Sequence, residues 1–177
     1  YEFNAEFLLC SSDCEAMSIA ELLDLEPGAA DKFQQTWLGY TESQGHPALR
    51  KEIARMYESI QPEEVLVHTG AEEAVFLFML ATLKENDHII VHTPHYQSLS
   101  EVAKGIGCDV STWQAREENN WVLDLDELTH LMRTNTKTIV INTPHNPTGY
   151  LMSRTDFEAV SQFAKENNLL LFCDEVY

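Results

Sequence analysis

The chain has 177 residues, is 44% hydrophobic and 10% aromatic, and carries a formal charge of −18. That length and apolar share suit one globular domain with a sizeable core and argue against disorder. The acidity speaks against nucleic acid and membrane surfaces as partners, since both need cationic patches, but a phosphate-bearing ligand is compatible because helix amino ends hold phosphate without net positive charge.

Residues 1–38 read as an arm with one short helix, and residues 39–177 as the first part of a larger domain. In the arm, Ser18 with Glu21 three positions on is a capping-box pattern that opens a helix over 18–24, and Pro27-Gly28 ends it. Residues 10–15 read as irregular. The start has neither a cationic stretch nor a long apolar core, so no signal peptide is expected, and no apolar run reaches membrane-spanning length.

From residue 46 the pattern alternates. A helix over 47–59 opens on Pro47, which needs no amide donor in a first turn. A strand over 65–68 precedes a long apolar helix over 71–84. A strand over 88–92 leads to a helix over 97–105 that ends at glycine, then a strand over 109–113. Asp124 with Glu127 marks a capped helix, followed by a strand over 138–141. Ser153 with Asp156 opens a helix to about 167, and 169–173 reads as a buried parallel strand. Strand and helix in alternation give an α/β fold with a parallel-rich sheet and helices on both faces. A dinucleotide fold needs three spaced glycines after its first strand, and only Gly70 follows 65–68.

The four cysteines (Cys10, Cys14, Cys108 and Cys173) lack zinc spacing and read as reduced thiols of a cytosolic protein. The seven histidines show no metal-ligand spacing, and His95 and His145 read as solvated loop residues. The chemistry gathers elsewhere. Asp174 and Tyr177 close the apolar run 169–173, and Asn146 lies in the Pro/Gly loop that closes 138–141. Ligands of open α/β sheets bind outside such carboxyl ends. An acid, an amide and a phenol there suit a nitrogen heterocycle bearing a phenolic oxygen. Taken singly, each has a plainer reading: a strand-ending aspartate is commonly a turn or cap residue, and a chain-end tyrosine commonly packs on the core.

Together these segments resemble a known family. The stretch YTESQGHPALR from Tyr40, Thr69-Gly70-Ala71, Thr93-Pro94-His95-Tyr96, PHNPTG from Pro144 and Asp174-Glu175-Val176-Tyr177 occur in the order found in class I/II aminotransferases of fold type I. The resemblance runs from about Tyr40 to Tyr177 and implies the large pyridoxal-phosphate-binding domain, incomplete. It implies pyridoxal phosphate as cofactor, amino acid and 2-oxo acid substrates, and a homodimer with a shared active site. Asp174 would face the pyridine nitrogen and keep it protonated. Asn146 and Tyr177 would donate to the ring 3-oxygen. Gly70 and the backbones of Ala71 and Glu72 would cradle the phosphate. Tyr96 would stack on the ring, and Tyr40 would reach the partner subunit's phosphate. Thr93-Pro94 and Asn146-Pro147 would be cis. Gly45, Leu49 and Arg50 read as structural: a turn, packing on the following helix, and pairing with an acid.

The resemblance also calls for a Schiff-base lysine. None of Lys32, Lys51, Lys84, Lys104, Lys137 and Lys165 lies in a matching context, so the chain reads as a fragment. The arm Ser11-Ser12-Asp13-Cys14 departs from the family's glycine-containing segment and is expected to line the substrate pocket, away from ordinary aspartate or aromatic specificity. Transamination is the leading reaction. Other chemistry on the same cradle (C–S β-lyase, cyclase or decarboxylase) and a non-catalytic module on the same scaffold are the alternatives.

Overall fold

A computed structural model describes residues 4–7 and 14–177, so the arm positions Cys10 to Asp13 lie outside the described residues. The chain divides into two compact units, one up to Pro47 and one from Ala48 to Tyr177.

In the first unit, Ser18 caps α1 (Ile19–Asp24): its hydroxyl accepts the Glu21 amide at 3.2 Å, and the Glu21 carboxylate returns to the Ser18 amide at 2.7 Å. Gly28 does more than end this helix. At φ +80 it turns the chain into α2 (Ala29–Gln34), a second helix the sequence pattern did not announce.

The second unit is built on a parallel sheet of four strands: β1 (His88–Thr93), β2 (Asp109–Gln114), β3 (Thr136–Asn142) and β4 (Leu170–Asp174). Their spatial order is β2-β1-β3-β4. The chain therefore runs outward from β1 to β2, then crosses back to place β3 on the other side of β1. Between them come α4 (Ala71–Thr82) before β1, α5 (Ser98–Ile106), α6 (Leu125–Leu131) and α7 (Arg154–Glu166). Alternate residues of each strand feed opposite layers. Ile89, Val91 and Val140 pack with Val75, Met79, Leu99 and Ala103 of α4 and α5. Ile90, Ile139 and Ile141 pack with Leu128, Val160 and Ala164 of α6 and α7, around Trp113, whose indole donates to the Asp124 carbonyl at 2.8 Å. Helices cover both faces, as the alternation requires.

Several expectations change in detail. Val65 is extended, but residues 65–68 form no strand, since no described strand supplies a ladder partner. Helix α3 (Pro47–Ala54) is shorter than 47–59, because Met56 and Tyr57 tighten into i→i−3 bonds that end the α-helical ladder. Gly105 sits inside α5, and Gly107 at φ +97 supplies the left-handed cap. Asp124 caps α6 through the Asp126 amide at 2.9 Å, while Glu127 turns to Arg116 at 3.5 Å and completes no box. Strand β4 is a half-exposed edge rather than buried, having one hydrogen-bonded neighbour. Leu49 is half-exposed instead of packed away. Gly45 makes its turn, and Arg50 donates to the Pro62 carbonyl at 3.0 Å. Among the described residues no helix is long and apolar enough to cross a membrane, and no group of side chains is placed to hold a metal.

Candidate active site

The carboxyl ends of β3 and β4 are level, with Asn142 in register with Asp174. The Asp174 carbonyl accepts from the Thr143 amide at 3.0 Å and from Asn142 Nδ2 at 2.9 Å, which fixes where the following residues start. Its side chain Oδ1 accepts the Val176 amide at 3.2 Å. Burial pushes the Asp174 carboxyl above the ordinary carboxylate range; the Val176 amide opposes this, and the charge of Glu72 adds to the rise. An acid so placed is short of a positive neighbour, and a cationic ligand would reverse the shift.

Asn142 is a residue that sequence reasoning missed. It is 2% exposed, and its amide holds two loops at once: Nδ2 bonds Asp174, while Oδ1 accepts the Asn146 backbone amide at 2.8 Å. An asparagine ending a fully buried strand must satisfy its amide somewhere, and that signal was readable. So held, Asn146 points Nδ2 at the Tyr177 hydroxyl, 3.1 Å away. Asn146 and Tyr177 thus meet, with Asp174 at the head of the segment that carries Tyr177.

On the other side, Gly70 opens α4 with φ +98 and ψ 165, a conformation that glycine alone adopts without strain, and open space lies where a side chain would begin. The amides of Ala71 and Glu72 form the positive end of a 12-residue helix. The Glu72 side chain is held away from them, accepting from Ser98 Oγ at 3.0 Å. Glu73 reaches back to cap the Thr69 amide at 2.6 Å. A cavity of ≈330 Å³ lined by Glu72, Tyr96, Gln97, Ser98 and Glu101 lies beside this helix start. Tyr96 leaves half of its surface exposed on the turn between β1 and α5. Tyr40 belongs to the first unit, where it is fully exposed.

Two histidines depart from expectation. His145 is not solvated: it is 3% exposed and stacked on His92. His95 is partly buried, with Nε2 lacking a hydrogen-bond partner among the described residues. Burial of this kind depends on loops folding over the strand end, which residue spacing does not reveal. Thr93-Pro94 and Asn146-Pro147 are cis, as the resemblance implies, and so is Thr143-Pro144.

The donor set fits the group that the resemblance implies. A half-buried carboxyl suits a protonated ring nitrogen, an amide and a phenol suit a phenolate oxygen, and a glycine-led helix start suits phosphate.

Comparison with known proteins gives the same picture. The sequence model of the family described as aminotransferase class I and II matches residues 7–177. An aspartate aminotransferase of Bacillus sp. (strain YM-2) is 32% identical over 154 residues, spanning 84% of this chain and 39% of that protein. The aspartate aminotransferase of Sulfurisphaera tokodaii is 34% identical over 160 residues, spanning 86% and 40%. Among solved structures, a PLP-dependent aminotransferase from Streptococcus suis superposes with a TM-score of 0.84 at 37% identity, over 91% of this chain and 44% of that one. The chain thus spans less than half the length of these relatives.

Proposed function

The chain belongs to the aminotransferase class I and II family, and from that premise we propose that the whole protein moves an amino group between an amino acid and a 2-oxo acid with pyridoxal phosphate. The observation that carries this reading is the meeting of Asn146 Nδ2 and the Tyr177 hydroxyl at 3.1 Å, beside the half-buried carboxyl of Asp174. Bound there, the cofactor would supply a pyridinium ring able to take up the electron pair left when a substrate Cα–H bond breaks.

The residues of this chain prepare that chemistry. Asp174 holds the proton on the ring nitrogen. Asn146 and Tyr177 donate to the 3-oxygen and keep it anionic. Gly70, Ala71 and Glu72 anchor the phosphate through the backbone, and Tyr96 covers one face of the ring and excludes water from it.

The reading extends to a homodimer in which Tyr40, fully exposed in the first unit, reaches the partner subunit's phosphate. It also extends to a reducing, cytosolic setting and a biosynthetic role in amino-acid metabolism; the free thiols Cys14, Cys108 and Cys173 suit such a setting.

The test is reconstitution of the full-length protein. A visible absorption band should form with pyridoxal phosphate and vanish on borohydride treatment. A panel of amino acids should then yield 2-oxo acids with the amino group retained on the cofactor. Ammonia release in place of amino-group retention would move the reading to a C–S β-lyase, and absence of the visible band would defeat it.

A further inference from the structure

His145 sits where the fold changes direction. The chain leaves β1 toward β2 on one side and returns to β3 on the other, so the loops after β1 and β3 lead to helices on opposite faces, α5 and α7, the arrangement that makes a crevice at the carboxyl ends of an open sheet. Ligands of α/β sheets enter at this point. The loop after β1 carries Tyr96, and the loop after β3 carries Asn146. We propose that His145 is a positioning residue for the cofactor site, its imidazole tying these two loops together across the crevice. The inference rests on the reading that pyridoxal phosphate occupies the site.

The hydrogen bonds assign the ring its protons. His145 Nε2 lies 2.6 Å from the Pro94 carbonyl, which can only accept, so Nε2 carries the hydrogen. In the neutral ring Nδ1 is then an acceptor, and the Thr148 hydroxyl lies 2.6 Å from it. That hydroxyl in turn accepts the Tyr150 amide at 3.2 Å, so its own hydrogen is directed to the ring. A single chain of donors runs from Tyr150 through Thr148 and His145 to Pro94. Pro94 is two residues from Tyr96, and Asn146 follows His145 directly, so the chain sets the spacing between the stacking ring and the 3-oxygen donor.

Beneath lies His92 of β1, its ring parallel to that of His145 with centroids 3.9 Å apart and planes 16° apart. The stack fixes the tilt of His145 and leaves no room for charge. The titratable groups that face it are His92 from β1 and His95 from the loop after it, both able to form cations only. Burial lowers the His145 pKa; the Pro94 carbonyl opposes this, and His95 adds to the fall. His92 is pushed down to about 3 by burial and then by His145.

The experiment uses the full-length protein. In 15N-histidine NMR without cofactor, the neutral ring of His145 should carry its single proton on Nε2 and take up a second only below the ordinary histidine range. A proton on Nδ1, or titration in the ordinary histidine range, overturns the proposal whatever the protein binds. His145→Phe keeps a flat ring on His92 and removes both hydrogen bonds, while Thr148→Val removes one. With far-UV circular dichroism unchanged, the dissociation constant of pyridoxal phosphate should rise on the order of tenfold in His145→Phe and less in Thr148→Val. The induced circular dichroism of the bound cofactor should weaken as Tyr96 loses its register. An unchanged constant in a folded His145→Phe overturns the proposal. If that variant does not fold, an unchanged constant in Thr148→Val does so instead. A wild-type protein that binds no pyridoxal phosphate defeats the functional reading alone, and the NMR result then decides the role of His145.

Discussion

Strand β1 carries a buried histidine at each end, on the same face. At the amino end His88 has both ring nitrogens engaged, Nδ1 2.7 Å from Thr136 Oγ1 and Nε2 2.9 Å from Ser111 Oγ. Arg133 extends the set, its amide 2.8 Å from Thr136 Oγ1 and its guanidinium bonding Ser111 and Asp109 at 3.2 Å. At the carboxyl end His92 is equally buried, yet neither ring nitrogen has a hydrogen-bond partner among the described residues. The Asn142 backbone lies near it but outside bonding geometry. A satisfied polar network adds cohesion, while an unsatisfied buried ring subtracts from it. One edge of the sheet is thus a fastening. The other gives up stability so that the loops bearing Tyr96 and Asn146 can be set where a ligand enters.

The contrast can be broken most sharply at Asp174. In the full-length protein, Asp174→Asn should lower kcat/KM for transamination on the order of 10²–10³-fold, the range for losing a group aimed at developing charge. Without cofactor its thermal midpoint should not fall, because burial then holds the carboxyl above its ordinary pKa. The proton linkage makes the sign plain: a carboxyl with a raised folded pKa contributes stability that is complete below the ordinary value near 4 and is lost as pH rises through the folded one. Removing the charge removes that loss at neutral pH. A drop in both activity and midpoint would mean that Asp174 belongs to the scaffold. Next in size is His88→Phe at the opposite edge, which takes one bond each from Thr136 and Ser111, leaving them only Arg133, and should cost roughly 1–3 kcal/mol in urea unfolding. The same change at His92 should carry the opposite sign. His92→Phe keeps the ring on His145 while removing two unpaired nitrogens, and should gain about 1 kcal/mol. Equal signs for the two variants would refute the contrast.

The sequence announced what is local and what is repeated. Ser18 with Glu21 and Ser153 with Asp156 place their caps because a side chain and an amide three residues apart settle the matter between themselves. The apolar runs that became β1, β3 and β4 were plain, and Asp174, Asn146 and Tyr177 could be placed at strand ends before their contact was known. Less legible was whatever depends on a distant partner. Residues 65–68 have the composition of a strand, but a strand is a ladder and needs a neighbour. Glu127 stood at the right distance from Asp124 and was claimed by Arg116 instead. His145 looked like a loop histidine because nothing in PHNPTG reveals that His92 waits beneath it. Asn142 lies one residue past the expected strand over 138–141, and its two bonds set the spacing between Asp174 and Asn146.

The smallest expected effect is also the one that reads the carboxyl edge most directly. His92 has a folded pKa of about 3, depressed chiefly by burial, against about 6.5 in an unfolded chain. Below pH 6.5 the unfolded chain therefore binds a proton that the folded state refuses. Stability from this group is complete above about 6.5 and is lost as pH falls toward 3. Between pH 7 and pH 6 the loss from one such residue is about 0.7 kcal/mol, steepening toward about 1.4 kcal/mol per pH unit further down. His88 and His145 are shifted in the same direction and add to the slope. Urea unfolding of wild type and His92→Phe across this range should give curves that converge above pH 7.5 and separate by that amount below it, once the constant offset is removed. Parallel curves would mean that His92 takes up a proton in the folded protein. The stack on His145 would then have to open, and the two edges of the sheet would differ less than their hydrogen bonds suggest.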